Sequence, residues 1–125
     1  MNTNPLTESQ FNSRDNSCFG TDPNVATLNV IADNEESFQL SYAQFLYSRL
    51  ASNPILENEP EAPPQRLMIC FAVAEVVVLG SGLKSIDRAI QKHELKFVQQ
   101  ADRHYASTLK THVAAVSVTF TKENV

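Results

Sequence analysis

Thirteen residues, Leu67 to Leu79, form the longest apolar run of the chain, broken only by Glu75. An ordinary strand holds about five or six residues, whereas a helix that crosses a bilayer needs about 20. The run is too long for one and too short for the other, so it has to double back. The expected solution is a hairpin of Leu67–Ala72 and Val76–Leu79. Small side chains at Ala72 and Ala74 and the single charge of Glu75 mark the bend, with Glu75 solvated at its tip. Val76-Val77-Val78 is the strongest β signal in the sequence, because β-branched side chains pack well on a pleated surface.

Gly80-Ser81-Gly82 ends this run, and a helix is expected over residues 83–93. Leu83, Ile86, Ala89, Ile90 and His93 share one face, and Lys84, Arg88 and Lys92 repeat on the other. A strand that ends in G-x-G and opens a helix resembles the start of a dinucleotide-binding fingerprint, with Asp102 placed for a ribose. Ser85 stands at the third glycine position, and only 23 residues follow Asp102. The preceding segment also reads as hairpins, so a simple turn is the favoured reading and no cofactor is expected. A looser candidate remains: Gly80, Ser81, Gly82, Lys84, Arg88 and Lys92 as an anion-binding surface of backbone amides and cations. Its competing reading is the solvated face that any amphipathic helix must have.

The other elements follow from period and punctuation. Residues 1–24 are rich in Asn, Ser, Thr and Asp and read as a flexible leader, with a single domain over residues 25–125. Val25–Ile31 and Ser37–Ser41 alternate as two strands around the turn Asp33–Glu36. A shorter helix is expected over residues 42–51, where Tyr42, Phe45, Leu46, Arg49 and Leu50 recur at helical spacing behind a Ser41–Gln44 capping pattern. Residues 53–65 carry four prolines and three glutamates and form a loop. Leu95–Gln100 reads as a strand with Leu95, Phe97 and Gln99 facing together, and Val116, Val118 and Phe120 alternate in a terminal strand. The class is α+β: a small, mostly antiparallel sheet of about five to six strands with two helices.

The 125 residues suit one domain, and 42% hydrophobic residues supply a core. A net charge of −4 argues against a general nucleic-acid binder. It conceals an imbalance: residues 1–65 hold two basic against nine acidic side chains, and residues 66–125 eight against five. Cys18 and Cys70 make no disulfide framework, and His93, His104 and His112 have no metal-ligand spacing. A cytoplasmic, soluble, non-enzymatic interaction or regulatory module is expected. It binds a protein partner or a second copy of itself, with an anionic ligand or nucleic acid as the alternative and no membrane.

Overall fold

The computed structural model describes residues 18–101 and 110–121. The fold is mixed α/β, with two four-stranded sheets and one α-helix among the described residues. The strands are β1 (Phe19–Thr21), β2 (Thr27–Ile31), β3 (Ser37–Ser41), β4 (Phe45–Ser52), β5 (Gln65–Phe71), β6 (Ala74–Ser81), β7 (Leu95–Val98) and β8 (His112–Phe120). The helix α1 (Lys84–Gln91) joins β6 to β7. Sheet A has the order β1-β7-β2-β3 and sheet B the order β4-β5-β6-β8.

Sheet B is wholly antiparallel and grows from the apolar run. The hairpin forms, but it bends at Ala72–Val73, and Glu75 lies inside β6 opposite Cys70. A two-residue turn sits one step earlier than the charge implied, because each strand gains ladder bonds by running closer to it. Leu67, Ile69 and Phe71 of β5 and Val76 and Val78 of β6 are buried on the inner face. Burying a Leu, Ile or Val contributes about 1.5–3 kcal/mol each, so this face is the main stabilising element.

Residues 42–51 correct the expectation of a second helix. Ser41 does cap a turn, its Oγ accepting from the Ala43 amide at 3.1 Å, but that turn is a single 3-10 turn over Tyr42–Gln44. The chain then extends as β4 and pairs along β5. A bulge between Phe45 and Tyr47 breaks the alternation. Phe45, Ser48 and Leu50 therefore fall on one face at uneven spacing, which imitates a helical period in the sequence. The strand wins because pairing along β5 supplies a ladder of backbone hydrogen bonds, where a free helix of this length is marginal.

Sheet A is mixed. The β2–β3 hairpin pairs Leu28 with Leu40 and Val30 with Phe38, and β7 enters beside β2 in parallel. On the other side β7 pairs with β1 in antiparallel sense. Residues 18–21 thus belong to the fold, where a loose leader over 1–24 was expected: Cys18 is buried and Phe19 pairs with Val98. Residues 1–17 and Asp102 lie outside the described residues. A register irregularity at Gly20/Thr21 places Lys96 opposite no residue, so Leu95 and Val98 point to the core while Phe97 lies on the solvent side.

The core sits between the sheets and is closed on one side by α1. Ile86, Ala89 and Ile90 are buried, and Ser48 of β4 donates to Asp87 of the helix at 2.6 Å. The helix ends in a left-handed residue, His93, whose ring stacks on Tyr42 with centroids 4.8 Å apart. The buried Tyr42 hydroxyl donates to the Leu95 carbonyl at 2.6 Å. Among the described residues no helix is long and apolar enough to cross a membrane.

Candidate functional site

The six residues proposed from sequence for anion binding fall into three settings. Lys84, Arg88 and Lys92 lie exposed along one side of α1 and its C-terminal cap. Gly82 has φ +61, and a Cβ there would stand 2.1 Å from the Lys110 carbonyl oxygen. Gly80 lies within β6, where a Cβ would stand 2.0 Å from the His112 carbonyl oxygen. Both glycines are therefore required for the close approach of the chain entering β8. The Leu83 amide, at the helix start, donates to Gln65 Oε1 at 2.8 Å. Gly80 and Ser81 face a separate hollow under residues 61–64.

A larger concave surface lies elsewhere, on the solvent face of sheet A. It is a groove of about 450 Å³ lined by Val25, Thr27, Asn29, Ile31, Gln39, Lys96, Phe97 and Gln99. Its form follows from strand alternation: β2 buries Leu28 and Val30, so Thr27, Asn29 and Ile31 must face out. β7 contributes Phe97, paired with Asn29 on one side and Gly20 on the other. The glycine matters here because a Cβ at position 20 would stand 2.5 Å from the Phe97 ring. The ring lies across β1, and its aromatic surface reaches the groove.

The polar groups of the groove are ordered by neighbouring hydroxyls. Thr27 Oγ1 donates to Gln39 Oε1 at 3.0 Å, and Ser37 Oγ donates to Asn29 Oδ1 at 2.8 Å. With both amide oxygens engaged, the two NH₂ groups stand as donors, and the Lys96 ammonium adds a third. None of the lining side chains is a carboxylate, thiol or imidazole. The arrangement can hold and orient a ligand and offers no nucleophile–base pair. The sequence signal for it was present in the alternation of Thr27, Asn29 and Ile31. The bulge that turns Phe97 outward was not legible.

A second group escaped sequence reasoning on the outer face of sheet B. The Cys70 thiol donates to Glu75 Oε2 at 3.7 Å, and Tyr47, half-exposed, sits beside them on β4. A hydrogen bond with Cys70 raises the Tyr47 pKa above its ordinary value. These three share one end of the sheet with a hollow of about 280 Å³ that Cys70, Glu75, Thr119 and Phe120 help to line. Among the described residues that line it there is no imidazole.

Among the described residues no three His, Cys, Asp or Glu side chains converge as they would around a metal ion. No family model matches the chain, and neither the curated proteins nor the solved structures contain a match to it.

Proposed function

We infer that this protein is a non-enzymatic binding module whose recognition surface is the solvent face of sheet A. The groove of about 450 Å³ carries the reading: an apolar floor of Val25, Ile31 and Phe97 meets the donors of Asn29, Gln39 and Lys96. Sites for small ligands combine those two features, apolar area for affinity and a few placed polar groups for orientation. The ligand such a surface fits is flat and rich in acceptor oxygens. It would lie on the Phe97 ring and take hydrogen bonds from the two amides.

The test is an NMR titration with benzoate, uracil and adenosine monophosphate. The expected result is saturable shifts at Thr27, Asn29, Gln39 and Phe97, with Phe97→Ala and Asn29→Ala each weakening binding about tenfold. Shifts confined to Lys84, Arg88 and Lys92 would instead support an anionic contact on the helix.

A second reading, self-association, rests on Leu46 and Tyr47. They are 62% and 53% exposed and adjacent on β4, one of the edge strands of sheet B. Edge strands with apolar side chains favour pairing with another chain. Light scattering should then give a dimer that survives high salt and is lost in Leu46→Glu.

A further inference from the structure

The outward row across sheet A has a fixed order. Gly20, Phe97, Asn29 and Gln39 are cross-strand partners on β1, β7, β2 and β3. Neighbouring strands lie about 4.8 Å apart, so the ring and the two amides stand in line, with Gln39 about 10 Å from Phe97.

Each member of the row is braced. Gly20 leaves room for the Phe97 ring against β1. The two amides are held reciprocally across one hairpin. Ser37 of β3 engages the Asn29 oxygen on β2, and Thr27 of β2 engages the Gln39 oxygen on β3. Each hydroxyl thereby fixes which end of its amide is left for a ligand, and in both cases that end is the NH₂.

The polar side of the groove therefore offers donors to a ligand. Lys96 adds a positive charge, and among the described residues that line the groove there is no Asp or Glu to offset it. A nucleobase mixes N–H donors with acceptors along its edge, and those donors would meet the two NH₂ groups unfavourably. A carboxylate presents acceptor oxygens alone and carries the charge that complements Lys96. Conjugated to a ring, it also stays in the ring plane and so keeps to the sheet surface. The distance along the row asks for a short arm between ring and carboxylate. Resting on the groove reading above, we propose that the ligand is an aromatic carboxylate of the cinnamate type. Its ring lies on Phe97, and its carboxylate is held by Asn29, Gln39 and Lys96.

The experiment titrates the full chain with trans-cinnamate and with cinnamamide, its neutral counterpart. The side-chain NH₂ signals of Asn29 and Gln39 are followed by ¹H–¹⁵N NMR. Cinnamate should move both signals to saturation and bind at least about tenfold more tightly than cinnamamide. Lys96→Gln should weaken cinnamate about tenfold while changing cinnamamide by less than about twofold. Asn29→Asp keeps an oxygen for Ser37 and sets a negative charge in the row. It should reverse the preference, so that cinnamamide binds the more tightly. Equal binding of the two compounds to the wild type would overturn the ligand class and leave the groove as the recognition surface. Cinnamate shifts confined to Lys84, Arg88 and Lys92 would overturn it as well. So would no response to cinnamate, and the groove reading falls with it if uracil and adenosine monophosphate also leave Phe97 unmoved.

Discussion

Asp33 and Val116 hold each other through two hydrogen bonds. The Asp33 amide donates to the Val116 carbonyl at 3.1 Å, and the Val116 amide donates to Asp33 Oδ1 at 3.0 Å. Asp33 belongs to the turn between β2 and β3, and Val116 to β8, so the pair fastens sheet A to sheet B. Asp33→Ala strands the amide of a buried strand residue and should cost about 1–2 kcal/mol. Asp33→Asn keeps the acceptor oxygen and should cost less than half of that. Urea denaturation of the three proteins measures the difference, and equal midpoints for Asp33→Ala and wild type would refute the clasp.

The glycines of the β6–α1 junction should tolerate no side chain. Gly80→Ala and Gly82→Ala each drive a Cβ onto backbone oxygen, and Gly82 adds a left-handed φ. Each substitution should destabilise by about 3 kcal/mol or more, through forced backbone movement. Gly20→Ala is a contrast, because its obstacle is the Phe97 ring, a side chain that can rotate away. It should keep the fold but close the groove, and the double change with Phe97→Leu should regain wild-type stability. Thermal unfolding of the four variants checks the order.

Alkaline pH should loosen the fold from two buried acids. Burial raises the Tyr42 hydroxyl well above its ordinary pKa of 10.0, and burial likewise raises the Cys18 thiol above 9.0. In each case the folded state favours the protonated form. The stability they contribute is therefore complete below pH 9 and falls as pH rises, first through Cys18 and above pH 10 through Tyr42 as well. Tyr42→Phe should flatten the decline above pH 10, while losing the bond to the Leu95 carbonyl at a cost of about 1 kcal/mol at neutral pH. Denaturation midpoints between pH 7 and pH 11 test the sign.

Helix α1 is attached by a narrow apolar face. Ile86 and Ile90 are fully buried, so Ile90→Ala should cost about 2–5 kcal/mol by the cavity it leaves. Lys84→Ala, on the exposed side, should stay within about 0.5 kcal/mol of wild type. A small effect for Ile90→Ala would mean that the helix does not close the core as described.

The central hairpin, the β2–β3 hairpin, α1 and the terminal strand could be read from the sequence because each carries its own signal. Leu28 and Val30 alternate, Ile86 and Ile90 recur at one helical turn, and Asp33–Glu36 is turn chemistry. What could not be read depended on partners far along the chain. Phe45 to Ser52 becomes a strand because β5 is beside it, and the bulge at Leu46 disguises its period. Phe19–Thr21 is recruited by β7, and its three residues give no local signal of their own. The candidate groups of the site divide in the same way. Asn29 and Gln39 lie on strands that were foreseen, but Phe97 turns outward only through the irregularity opposite Gly20.

The parallel neighbours β2 and β7 impose an order on assembly. The polypeptide must travel through β3, β4, β5, β6 and α1 before Phe97 can reach Asn29, so sheet A closes late. Its two halves wait unpaired while the valine-rich ladder forms. A nascent chain that stalls before Leu95 would expose the flank of β2, and that interval is when this molecule is most exposed to aggregation.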